Sequence, residues 1–344
     1  MSKVTMKDIA DALNISLNAV SIALNNKVGV SDEMRIKILK VADEMGYIQK
    51  KKQYLDAYSK TNICVMMQSY YAKTGHFYSA VLYAVVEEAK RMGYNTIINY
   101  FDDNEFVTPE CVEENKVSGI IVIGKIHDDN LTILERLQYP IVLCDYASTL
   151  KSCHSVLSNN RAGGSIMCQY LIDCGFSKIG FFGDLDYSLN FKERFIGYYN
   201  TLFQNKVVAK YNDELYFEKY SVVEDIEDAI LSNDVDTVIK RIKTIKELPE
   251  VFMCANDSNA VLLVGALNKL GYKIPEDISV VGFDNTNMCE KIVPKLTTLN
   301  VDKEVMGIRT VQKLLELIDK RNVYPETILL GVNLVTRDSV KLIT

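Results

Sequence analysis

The chain has 344 residues, 48% hydrophobic and 24% charged, enough for two or three compact units with a sizeable core. No stretch reaches the roughly 18–20 apolar residues of a membrane span, and MSKVTMKDIADAL lacks the apolar run of a secretory leader, so a cytoplasmic protein without membrane contact is expected. The net charge of −6 argues against indiscriminate nucleic-acid binding, yet residues 1–60 sum to +3 and the remainder to −9, a small basic head on an acidic body.

In chain order, Thr5 is placed to cap a helix over Met6–Leu13, where Met6, Ile9, Ala10 and Leu13 recur at helical spacing. Asn14 and Ile15 make a tight break, and Ser16 caps a second helix, Leu17–Leu24. Ser31 caps a third, Asp32–Met45, with Ile36, Leu39, Ala42 and Met45 on one face and Gly46 closing it. Helix, short break and helix over residues 6–24 is the spacing of a helix-turn-helix. Residues 47–61, with four lysines and no core periodicity, read as a linker.

From residue 62 the pattern alternates between apolar strands and amphipathic helices. Strands are expected at Ile63–Gln68, Thr96–Tyr100, Gly119–Ile123 and Ile141–Cys144, then at Ile179–Phe182, Glu214–Phe217, Val251–Ala255 and Ile278–Val281. Runs such as SAVLYAVVEEAKRMG and SNAVLLVGALNKLG are helices closed by glycine. Strands buried on both faces and alternating with helices indicate parallel α/β sheets, and two such series indicate two Rossmann-like lobes. A ligand is expected at strand C-termini in the cleft between them.

Polar residues stand where such a cleft would meet them. Asp145 follows IVLC, Asn256 and Asp257 follow VFMCA, Asp284 follows SVVGF, and Arg194 lies early in the helix around KERFIGYY. Carboxylate, amide and guanidinium groups together suit a polyhydroxylated ligand, because each can engage neighbouring hydroxyls. Structural roles compete with this: Asp257 as a helix cap, Asp284 in a turn, Arg194 in an internal ion pair. Arg194 would equally accept a carboxylate or phosphate, so an acidic ligand stays open. The eight cysteines include no C-x-x-C pair and none of the three histidines stands at zinc-ligand spacing, so buried free thiols and neither metal nor cofactor are expected. No G-x-S-x-G, Walker A loop or G-x-G-x-x-G after the first strand supports an enzyme, and the helix-turn-helix argues against a transport protein.

The segments VTMKDIADALNISLNAVSIALN and VSDEMRIKILKVADEMGYI resemble the DNA-binding head of the LacI family of bacterial regulators. VSGIIVIG, SNNRAGG, KERFIGYYNTL, CANDSNAVLLVGALNKLGYKIPEDISVVGFDN and PKLTTLNVDKEVMG resemble that family's effector-domain landmarks, in its order. The resemblance implies a three-helix head (1–46), a hinge (47–61) and a two-lobed periplasmic-binding-protein-like α/β body (62–344). The chain should cross between lobes near residues 161, 291 and 323, which groups 62–161 with 291–323 and 162–290 with 324–344. It further implies a homodimer, a repressor by expectation, reading a pseudo-palindromic operator in double-stranded DNA under control of a sugar-like effector.

On this reading the second helix enters the major groove with Leu17, Asn18 and Ile22 against base edges. Asn18 can pair with adenine, while Leu17 and Ala19 offer apolar contact to a thymine methyl. Ser16, Ser21 and Asn25 are placed for phosphate, and Thr5 joins them at the start of the first helix. Ile22 stands where the family usually has arginine and Ala19 where it usually has threonine, which removes a guanine contact and a hydroxyl. In the hinge, Gln49, Gln53 and Asp56 depart from the family pattern. Either Leu55 serves as the minor-groove wedge, with Lys50 and Lys51 on the backbone, or the segment is a flexible tether. By the same resemblance Asp145, Arg194, Asn256 and Asp284 match effector-contacting positions, and Phe77 and Tyr78 match aromatics that pack on the ligand. Tyr146 and Phe191 could add apolar contacts.

Overall fold

The computed structural model describes residues 4–24, 29–47, 62–74, 76–208, 214–319 and 324–343. Asn25, Lys50, Lys51 and Leu55, with the hinge departures Gln49, Gln53 and Asp56, lie outside the described residues.

The head comprises α1 (Met6–Leu13), α2 (Leu17–Leu24) and α3 (Asp32–Glu44). Thr5 closes a capping box: its hydroxyl accepts from the Asp8 amide at 3.4 Å while the Asp8 carboxylate accepts from the Thr5 amide at 2.6 Å. Asn14, at φ 53°, turns the chain in the left-handed region between α1 and α2. The core is Ile9, Ala10, Val20, Ala23, Ile38 and Ala42. One expectation fails here: Ile36 and Leu39 of α3 are exposed, at 67% and 38%. The fuller stripe, Met34, Ile38, Val41, Ala42 and Met45, wins the inner face because it keeps apolar contact along the whole helix. Thr5→Ala should cost the head about 0.5–2 kcal/mol. Hydrogen exchange on the full-length protein should then show faster exchange along α1 than in the parent.

The body is organised by two parallel sheets. The first takes β1 (Asn62–Gln68), β2 (Asn95–Phe101), β3 (Ile120–Ile123), β4 (Ile141–Cys144), β5 (His154–Ser158) and a late strand, β10 (Thr327–Leu330). Their order is β10-β5-β4-β3-β1-β2, all parallel. Its inner strands are apolar on both faces, as helices on both sides require. The second sheet is β6 (Ile179–Phe182), β7 (Val251–Cys254) and β8 (Ser279–Val281), also parallel. Between the sheets β9 (Thr298–Asn300) and β11 (Asn333–Val335) pair antiparallel where the chain passes from one to the other. All eight cysteines are free, and seven are buried.

Two expectations are corrected. Glu214–Phe217 is not a strand but opens a helix, Glu214–Tyr220. Its short apolar run suited either state, and the helix wins by packing Phe217 at a steep angle against Phe195 and Tyr199, each at 5.0 Å between ring centres. Val222, five residues on, makes the bridge to Phe182 at the edge of the sheet. The third crossing also falls later than residue 323, because β10 still pairs with β5 and the chain reaches the second sheet only where Ser339 accepts from the Val280 amide. As an edge strand, β10 alternates exposed and half-buried residues instead of presenting the run buried on both faces that marks the central strands. No helix among the described residues is long and apolar enough to cross a membrane.

Candidate functional site

The N-terminus of α2 is set by Ser16, whose hydroxyl accepts from the Ala19 amide at 3.1 Å. Val20 and Ala23 face the core, which leaves Leu17 and Asn18 exposed on the opposite side and Ala19 and Ser21 half-buried. Leu17 is 51% exposed, a large apolar group presented to solvent at the head of the helix. Ile22 is half-buried against Gly29, where an added Cβ would come within 3.3 Å of its Cδ1. The Thr5 and Ser16 hydroxyls are engaged in capping, so their lone pairs serve the helices first.

A cavity of about 300 Å³ opens between the two sheets, and all eight residues expected there line it: Phe77, Tyr78, Asp145, Tyr146, Phe191, Arg194, Asn256 and Asp284. They come from elements far apart in sequence. Asp145 directly follows β4, Phe191 and Arg194 lie on α9 (Leu189–Gln204), and Phe77 and Tyr78 open α5 (His76–Arg91), which follows the short α4 (Ser69–Thr74). Asn256 precedes the helix Asp257–Lys269, and Asp284 follows β8. Asp145 and Asp284 sit at φ 57° and 114°, a region that L-residues with side chains seldom occupy. Two carboxylates held so at strand ends in one cavity are the kind of backbone outlier that clusters at functional sites.

Arg194 organises the floor. Its guanidinium is 3.7 Å from the Phe283 ring centre. Nε donates to Asn160 Oδ1 at 2.8 Å, Nη1 to the Ala255 carbonyl at 2.6 Å, and Nη2 to Asp284 Oδ1 at 3.2 Å. The internal ion pair of Arg194 is present, and the same side chain lines the cavity. Asn160 in turn donates to Asn190 at 3.0 Å, and Asn190 donates to the Asp145 carboxylate at 3.2 Å and its carbonyl at 3.1 Å. Tyr78 donates to the other Asp145 oxygen at 3.1 Å. A continuous polar chain thus runs across the cleft from Asp284 to Tyr78. Burial pushes the Asp145 carboxyl up to about 6 and that of Asp284 to about 7, against the opposing pull of Arg194.

Asn256 spends its oxygen on the amide of Asn259, at 2.9 Å, as the cap of its helix. That corrects the alternative role for Asp257, which is buried instead and accepts from the Thr286 amide at 2.7 Å and the Thr298 hydroxyl at 2.6 Å. Lys125, Tyr71, Tyr187, Asn190 and Glu227 also line the cavity and escaped the sequence reading. Asn190 had a signal, one helical turn before Arg194 on the same face. Glu227 had none, because its short helix carries no motif.

Residues 5–50 match the bacterial regulatory proteins of the lacI family, and residues 168–340 match the periplasmic binding protein-like domain. Over 343 residues the chain is 27% identical to the HTH-type transcriptional repressor PurR of Mannheimia succiniciproducens, covering 98% of each. Its fold is shared with the Lac repressor dimer bound to operator and the anti-inducer ONPF (TM-score 0.67, 23% identity, 99% of this chain and 100% of that one). It is shared also with a LacI family transcriptional regulator from Enterococcus faecium with bound ribose (TM-score 0.69, 20% identity, 82% of this chain and 100% of that one). With the lacI-family match at its N-terminus and the periplasmic binding protein-like match spanning half its length, the chain belongs to the LacI family and is a DNA-binding transcriptional regulator.

Proposed function

We propose that the protein acts as a homodimeric repressor whose operator affinity is set by a sugar or sugar derivative bound in the cavity between its two sheets. The observation that carries this reading is the polar chain Asp284–Arg194–Asn160–Asn190–Asp145–Tyr78, all but the buried Asn160 lining a cavity of monosaccharide size, which bridges the two halves of the body. A ligand that inserts among these bonds exchanges them for its own and so changes the relative placement of the halves. Coupling of this kind amounts to about 1–3 kcal/mol between sites. PurR of M. succiniciproducens, named a repressor, supports the direction of control, the operator-bound Lac repressor dimer supports assembly on DNA, and bound ribose in the E. faecium regulator supports the ligand class.

On the DNA, α2 is the reading helix, with Asn18 toward an adenine and Leu17 and Ala19 toward thymine methyls. Ser16, Ser21 and Asn25 supply phosphate contacts, and Thr5 orders the first helix behind them. Ile22, half-buried on Gly29, contributes shape and no hydrogen bond. The test is selection of bound sequences from a random double-stranded pool by the full-length protein. The expected product is a two-fold symmetric motif with two half-sites; a folded, dimeric protein that enriches no motif would overturn the reading. Asn18→Ala should then relax base preference at one position per half-site by about 1–3 kcal/mol, and an unchanged motif would remove Asn18 from the reading set.

A further inference from the structure

The charged groups lining the cavity are Asp145, Glu227, Asp284, Arg194 and Lys125, an excess of carboxylate. Both cations are engaged by the protein: Arg194 as above, and Lys125 through a bond of 3.4 Å to the Tyr187 carbonyl. The Nε end of Arg194 belongs to Asn160, so the two-pronged Nε/Nη2 approach an anionic ligand would use is taken. A carboxylate or phosphate entering this cavity would meet three carboxylates, with both cations already bound to the protein.

Glu227 differs from the other two acids. It opens α11 (Glu227–Leu231) and is only 5% exposed. Its Oε1 accepts from Asn259 Nδ2 at 2.7 Å and from the Asp184 amide at 3.4 Å. No cation among the described residues pairs with it, and Oε2 takes no hydrogen bond from them although it is not sealed in the interior. A buried carboxylate with one free oxygen on a ligand cavity is costly unless something positive or donating reaches it. Burial drives its carboxyl up to about 7, the mark of an acid that lacks a cation. The cavity walls are aromatic as well: Tyr71 and Tyr78 pack at 4.2 Å between ring centres, and Tyr187 and Phe191 at 5.3 Å. Such faces favour a cation and the C–H faces of a sugar ring, and disfavour an anion.

We propose that the ligand is a hydroxylated molecule bearing a protonated amine, of the amino-sugar class, with its ammonium on Glu227 Oε2 and its hydroxyls on Asp145 and Asp284. This rests on the cavity being the effector site. The test is calorimetric titration of the full-length protein with D-glucosamine, D-galactosamine and D-mannosamine, each against its neutral parent sugar, and with D-glucuronate and D-galacturonate. At least one amine should bind about tenfold or more tighter than its neutral parent, the worth of a charge-assisted hydrogen bond. Glu227→Gln, which keeps the shape and the bond from Asn259, should erase that preference, so that amine and neutral parent bind the variant with affinities within about twofold of each other. Tighter binding of a neutral or acidic sugar than of every amine would overturn the amine assignment while leaving the effector site standing. An amine preference that survives E227Q would overturn the role of Glu227. Binding of no sugar in the panel would overturn both readings together.

Discussion

Replacing Arg194 with methionine is expected to destabilise the body by about 3–5 kcal/mol and to abolish the response to effector. The side chain is buried, and its guanidinium meets Asn160, the Ala255 carbonyl and Asp284 at 2.8, 2.6 and 3.2 Å. Methionine supplies similar length and packs on Phe283, so the loss isolates the polar groups. Without the cation, Asp284 is left as a buried carboxylate that burial already pushes up to about 7. It would then take up a proton more readily, which moderates the cost below that of a stranded charge. Denaturant titration of the variant measures the loss, and operator binding by the ligand-free protein at low temperature separates it from any effect on the head. A change under 1 kcal/mol would mean that these bonds are exchanged for water at little cost. A normal effector response would remove Arg194 from the site.

The second large effect is expected from a methyl group. In α9, a Cβ on Gly197 would sit 2.0 Å from the carbonyl oxygen of Arg161, and one on Gly164, in α8 (Asn160–Asp173), 2.1 Å from that of Arg194. The two helices meet backbone to backbone, and no rotamer change can relieve an atom placed there. Gly197→Ala should therefore cost about 1–3 kcal/mol or more, despite the ~1 kcal/mol that alanine gains over glycine in a helix. It should also weaken ligand binding, because α8 presents Asn160 and α9 presents Asn190 and Arg194 from this contact. The same change at Gly265, where nothing lies within 4 Å of the added atom, should leave stability equal or raise it. Paired melting curves check both signs, and a neutral G197A would show that the helices can part without loss.

The head was legible because short helices state their ends in the chain: Thr5, Ser16 and Ser31 each accept the amide bond that their position promised. The central strands were legible because burial on both faces leaves apolar runs such as IIVI and VFMC. Where a surface is shared unevenly the signal thins. The edge strand β10, the aromatic run at Glu214–Phe217 and the outward Ile36 and Leu39 were misread for that reason: an apolar residue is free to lie on either side until its neighbours are known.

For the cavity, residue types at strand ends and a family resemblance were enough to name eight side chains that the fold brings to one cavity. What those side chains are free to do was a matter of three dimensions. Nothing in KERFIGYY reveals that Arg194 is already held by Asn160, Ala255 and Asp284, nor that Asn256 gives its oxygen to a helix end. Glu227 reaches the same cavity from a short helix with no motif, and only its burial without a cation marks it out. Local chemistry and hydrophobic period are properties of the chain and can be read along it. Hydrogen-bond commitments and net charge within a cavity belong to contacts between distant segments, and those exist only once the fold has closed.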